Sequence, residues 1–113
     1  MAELDPEDQK IITLARSARA RTGAAEGAAV RDTDGRTYSA CTVSLSALRL
    51  TALQAAVAAA VASGASGLEA AAVVTTAADV STASVAAVRE LGQKALVFRA
   101  DPSGAVVAVD GPS

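Results

Sequence analysis

Residues 50–64 read LTALQAAVAAAVASG, a stretch with one amide, a few hydroxyls and no charge, in a chain where 19% of residues are charged. Leu50, Leu53, Val57 and Val61 recur at helical spacing, and alanine fills most of the other positions. A helix that is apolar or alanine on every face must be covered from several sides, which sets the terms for the rest of the fold. The uncharged run extends to Leu68, nearly the length of a bilayer span. Alanine contributes little transfer free energy, however, and SGASG at 63–67 suits a helix stop, so the segment reads as a core helix over residues 47–63 and not as a membrane span.

With 113 residues to bury this helix, the chain is long enough for one modest core and too short for two. Residues 1–113 are expected to form a single domain with an ordered core over about residues 5–110. The first helix opens with Asp5 as N-cap, Pro6 as first helical residue, and Glu7 and Asp8 where the macrodipole favours negative charge. Ile11, Leu14, Ala15 and Ala18 follow at helical spacing, and Gly23 ends the run. Arg16, Arg19 and Arg21 near its end read as cations complementing the dipole, with an anion-binding patch as the alternative.

Two short runs then flank DTDGR, where Asp34-Gly35 supplies the positive backbone angles of a tight hairpin. Downstream of the apolar helix, LEAAAVVTT reads as a buried strand, and STASVAAVRELG as a third helix capped by Ser81 and ended by Gly92. KALVFRA and GAVVAVD are two strands joined by DPSG, with Pro102 and Gly104 at type I turn positions. Helices between strands imply crossovers and a parallel pair. The predicted class is therefore α/β, a three-layer α/β/α arrangement with a mixed five-stranded sheet and helices on both faces.

The residue inventory narrows function. A net charge of -2 with no tryptophan, one tyrosine and one phenylalanine leaves little for recognising nucleic acid. Cys41 is the only cysteine and there is no histidine, so one chain cannot assemble the usual nitrogen and sulfur zinc site. No cofactor is expected. The acidic opening MAELDPEDQK lacks a secretory pattern, and a cytoplasmic location is expected.

The segment EGAAVRDTDGRTYSACTVS, in this element order, resembles the small cytidine deaminases, whose counterpart carries a V-G-A-A stretch, a D-G turn and C-N-x-E on the second strand. Gly27, Ala28, Ala29, Asp34, Gly35, Tyr38 and Cys41 fall in register without a gap, and the pattern continues from about Ile11 to Val109. The resemblance implies the deaminase fold. It also implies where a site would lie: the family keeps a zinc ligand and a general acid/base glutamate in C-A-E at the start of the second helix, and two ligands in P-C-x-x-C at the start of the third. There the metal acidifies water beside a carboxylate that moves its proton.

Counting back from AVASG, which resembles the family's A-V-S-E-G helix end, sets C-A-E against Thr51, Ala52 and Leu53. Counting from REL sets P-C-x-x-C against Val80, Ser81, Thr82, Ala83 and Ser84. The family's substrate-binding asparagine and glutamate fall at Thr42 and Ser44, and its ring-stacking phenylalanine near Ala24. A hydroxyl is a poor zinc ligand at neutral pH and leucine moves no protons, so the resemblance argues for the fold and against zinc-dependent deamination.

Thr42, Ser44, Thr51, Leu53, Ser81 and Ser84 are thus the candidate residual pocket. Two helix N-termini converging there could hold a small anion. The other reading is that Thr51, Ser81 and Ser84 cap helices while Leu50 and Leu53 fill the hole. Serine or threonine nucleophile chemistry lacks a base, since the lysines are only Lys10 and Lys94, and Glu69 and Glu90 read as surface residues. Cys41 reads as a small buried hydrophobe.

Two functions are carried forward. The first is a catalytically inactive deaminase-like protein, a homo-oligomeric scaffold or regulator, dimeric or tetrameric through the alanine-rich second helix, with neither nucleic acid nor membrane as partner. The alternative is a binder of nucleosides or small anions, or a metal-independent enzyme, using the remodelled pocket. A carboxylate facing the pocket would favour the alternative; hydroxyl caps would favour the first.

Overall fold

The computed structural model describes residues 4–112. Its first helix, α1, spans Pro6–Thr22. The Asp5 carboxylate accepts the Glu7 N–H at 2.8 Å, and Gly23 ends the helix at φ 67°, the left-handed cap that glycine adopts without steric cost. Ile11, Ile12, Ala15 and Ala18 form its buried face. The basic residues Arg19 and Arg21 do lie in the last turn, and Arg19 also donates through Nε to the Ala25 carbonyl at 3.2 Å.

Strands β1 (Gly27–Asp32) and β2 (Thr37–Cys41) form the antiparallel hairpin that Asp34-Gly35 predicts, with Gly35 at φ 84°. Asp32 organises the turn from its first residue. One carboxylate oxygen accepts the Asp34 and Arg36 N–H groups at 2.9 Å each, and the other accepts the Tyr38 hydroxyl at 2.8 Å. Burial alone would raise the Asp32 pKa, but the hydrogen bonds from Tyr38, Arg36 and Asp34 outweigh it and hold the carboxylate below its usual range.

Helix α2 spans Ala52–Ala62, β5 Leu68–Val74, α3 Thr82–Leu91, β6 Leu96–Ala100 and β7 Val106–Asp110. The five strands run in the order β2, β1, β5, β6, β7. Only β5 and β6, joined through α3, are parallel; the other three neighbours are antiparallel. The sheet is therefore mixed and five-stranded, as the order of elements predicts.

Helix α1 covers one face, packing Ile11, Ile12 and Ala15 on Ala29, Ala72, Val74 and Phe98. On the other face α2 and α3 pack Leu53, Ala56, Val57, Ala60 and Val88 on Ala28, Val30, Ala71, Val73 and Val97. Alanine on both sides of these interfaces lets helix backbones approach the sheet closely. At Gly27 the approach excludes any side chain, since a Cβ there would collide with the Ala15 carbonyl oxygen and lie 2.6 Å from the Arg19 nitrogen. At the rim of the α1 face, Arg31 joins three elements, 3.0 Å from both Asp8 and Glu69.

The second helix departs from the sequence reading at its start. It begins at Ala52, not at residue 47, and residues 43–50 instead hold a short hairpin of β3 (Val43–Ser44) and β4 (Arg49–Leu50), closed by Leu45 N–H to the Leu48 carbonyl at 2.9 Å. The cause is local. Thr51 Oγ1 accepts the Gln54 N–H at 3.1 Å while Gln54 Oε1 accepts the Thr51 N–H at 2.9 Å, a capping box that starts the helix here. Leu50 is consequently on a strand. The buried stripe is Ala52, Leu53, Ala56, Val57 and Ala60, and Val61 is 52% exposed instead of in the core.

Candidate functional site

Helices α2 and α3 lie on the same face of the sheet and begin close together. Each is capped by a hydroxyl: Thr51 for α2, as above, and Ser81 for α3, whose Oγ accepts the Ser84 N–H at 3.2 Å. These two caps are linked through Ser84. The Ser81 hydroxyl donates to Ser84 Oγ at 2.9 Å, and the Ser84 hydroxyl donates to Thr51 Oγ1 at 2.7 Å. Ser84 is only 3% exposed, so its hydroxyl is satisfied entirely by this chain.

The three positions that the family resemblance assigns to metal ligands are therefore brought into hydrogen-bond contact, and all three carry hydroxyls. Among the described residues no group of three His, Cys, Asp or Glu side chains is arranged to hold a metal. Alcohol oxygens engaged with one another and with helix N–H groups do not make a zinc site, whose usual ligands are thiolate, imidazole and carboxylate. Leu53, at the position of the family's acid, is 1% exposed and belongs to the core between α2 and the sheet.

Beside the hydroxyl chain lies an open cavity of about 470 Å³. Thr42, Ser44 and Thr51 line it, as do Glu26, Arg49 and Gln54. Of the six residues proposed from sequence, three thus face one cavity; Ser84 reaches it only through its bond to Thr51, and Ser81 adjoins Ser84. Leu53 is not part of the pocket, because the side chain turns into the core while its neighbour Thr51 caps the helix. Leu50 lines the cavity instead of filling it.

Thr42 ties two lining residues of the site together. Its N–H donates to the Glu26 carbonyl at 3.1 Å, and its Oγ1 accepts the Glu26 N–H at 3.1 Å. The Glu26 carboxylate makes no ion pair and no hydrogen bond among the described residues, since both ion pairs there belong to Arg31. Arg49, on β4, makes one long contact from Nε to the Leu45 carbonyl at 3.4 Å. An unpaired carboxylate and a nearly unpaired guanidinium therefore share the cavity wall.

Gln54 was legible as the fourth residue of a T-x-x-Q capping box. Glu26 carried no comparable signal, for nothing in EGAAV says that the residue before a buried strand faces a cavity. Arg49 was hidden by its assignment to the helix. Glu69 is exposed and paired with Arg31, Glu90 is exposed, and neither lines the cavity. Lys10 and Lys94 are likewise exposed and outside it, and Cys41 is half-buried on the edge strand β2 and not fully buried.

The family model described as cytidine deaminase-like matches residues 4–104. No curated protein matches the chain. Among solved structures, the chain is similar to the cytidine deaminase from Burkholderia pseudomallei at 25% identity and a TM-score of 0.78, covering 90% of both chains. It is similar to a mutant cytidine deaminase from Mycobacterium tuberculosis at 26% identity and a TM-score of 0.69, covering 84% of this chain and 85% of that one. The Mycobacterium leprae cytidine deaminase shares the fold at 20% identity and a TM-score of 0.73, covering 95% of this chain and 94% of that one.

Proposed function

The chain belongs to the cytidine deaminase-like family, and from that premise we propose that it carries out no zinc-dependent deamination and acts as a homo-oligomeric scaffold or regulatory protein. The observation that carries this reading is the chain from Ser81 through Ser84 to Thr51, at 2.9 and 2.7 Å. It sets neutral hydroxyls, hydrogen-bonded in series, where the family resemblance puts metal ligands. Deamination also needs a group to shuttle a proton between water and the leaving amine, and Leu53 at the acid position has none.

The surface of α2 supports the oligomer. Ala58, Val61 and Ala62 are exposed along one side of a helix that carries no charge. A second copy packed on that side would remove this apolar surface from water, and small side chains permit a close crossing. The test is metal analysis of the purified protein with a cytidine absorbance assay. The expected result is no bound zinc and no turnover; one tightly held zinc per chain with turnover would overturn the reading.

A second reading is favoured by one observation, the unpaired Glu26 carboxylate on the cavity wall. On this reading the remodelled pocket binds a small molecule. Thr51 Oγ1 accepts hydrogen bonds from both Gln54 N–H and Ser84 Oγ, so its own proton remains to be donated to a ligand.

A further inference from the structure

The cavity carries opposite charges on separate elements. Glu26 stands at the entrance to β1, where its backbone is tied to Thr42 on both sides, and Arg49 stands on β4 of the small hairpin. The residue after Glu26 is Gly27, where α1 passes too close for any side chain. If the two side chains were meant for each other they would form an ion pair, yet neither is paired with the other or with a third ionisable group among the described residues. Val43 and Leu50 add apolar surface to the same wall, and Thr42, Thr51 and Gln54 add neutral hydrogen-bonding groups.

We infer that this cavity takes a small zwitterion with an apolar body, of the size and kind of a free aliphatic amino acid, its ammonium at Glu26 and its carboxylate at Arg49. The inference rests on the second reading above, that the pocket binds a ligand. A monoanion would meet the Glu26 carboxylate and a monocation the Arg49 guanidinium, each a like-charge contact; a zwitterion answers both and remains neutral overall. Guanidinium recognises carboxylate through two parallel N–H donors, and an ammonium donates up to three hydrogen bonds, which Glu26 and a threonine hydroxyl can accept. The apolar body would then lie against Val43 and Leu50 and remove them from water.

Calorimetric titration with L-leucine tests this, with 3-methylbutylamine and 4-methylpentanoate as the same skeleton bearing one charge each, and cytidine as a neutral probe. Leucine is expected to bind, each single-charge analogue at least about tenfold more weakly, and Glu26→Gln and Arg49→Gln each to weaken leucine by about tenfold or more, as loss of a charged hydrogen-bond partner implies. Added salt should weaken leucine binding in the native protein. Leucine binding that survives both substitutions, or that either analogue matches, would overturn the assignment. Cytidine binding without leucine binding would overturn it while leaving the pocket reading intact, and no binding of any probe would remove both.

Discussion

The Ser84 hydroxyl donates to Thr51 Oγ1 at 2.7 Å across 33 positions of sequence. The contact joins the first turns of two helices, and Ser81 extends it by a further 2.9 Å bond. Replacing Ser84 with alanine removes the central member. The Ser81 hydroxyl then loses its acceptor and Thr51 loses a donor, and about 1–2 kcal/mol of stability should be lost in urea unfolding, with α2 and α3 still capped.

Thiols in place of the three hydroxyls would recreate a metal-binding set. The triple variant Thr51→Cys, Ser81→Cys, Ser84→Cys is expected to bind about one zinc per chain, since its sulfur atoms would converge from the same two helix starts. Cobalt substitution should give thiolate charge-transfer absorption. Failure to take up either metal would show that the helix starts are not set for ligation. Cytidine turnover should remain absent while Leu53 stands at the acid position.

Leu53 is core and nothing else on this reading. Leu53→Ala should lower stability by about 2–4 kcal/mol, the range for a buried leucine whose cavity collapses partly. Ligand binding at the neighbouring pocket, measured on the folded fraction, should be little changed.

The β1–β2 and β6–β7 turns give the fold a pH dependence with two limbs. The folded Asp32 carboxylate has a lowered pKa, and Asp101, held by Ser103 and backbone N–H groups, does too. Their contribution is complete above the unfolded value near pH ~4 and is lost as pH falls through the lower folded values. Tyr38 has a raised pKa because its hydroxyl donates to Asp32, so its contribution is complete below about pH 10 and is lost as pH rises through the folded value. Thermal melts across pH should show both limbs; Tyr38→Phe should abolish the alkaline limb from this residue and reduce the acid one.

Oligomerisation is expected to depend on the outer side of α2. The double variant Ala58→Arg, Val61→Asp should be monomeric by light scattering at micromolar concentration while the native protein is a dimer or tetramer, and the far-UV spectrum should not change. A native protein that is itself monomeric would remove the interface.

Local chemistry determined most of the fold from sequence alone. Asp5, Pro6 and Gly23 set the ends of α1, Asp34-Gly35 set the hairpin, and Ser81 set the start of α3, because caps and turns depend on backbone conformation within a few residues. The start of α2 was legible too, in the Thr51 and Gln54 pair, but the apolar run placed it five residues too early. Periodicity says which residues share a face and not where a cap will interrupt them.

Register against the deaminase pattern likewise marked Thr51, Ser81 and Ser84. What the sequence could not supply was their mutual contact, or that Leu53 turns into the core while Glu26 and Arg49 line one cavity. Those relations join residues far apart along the chain. They are decided by how two helices and a small hairpin dock on one sheet, and no pattern within any single element records that distance.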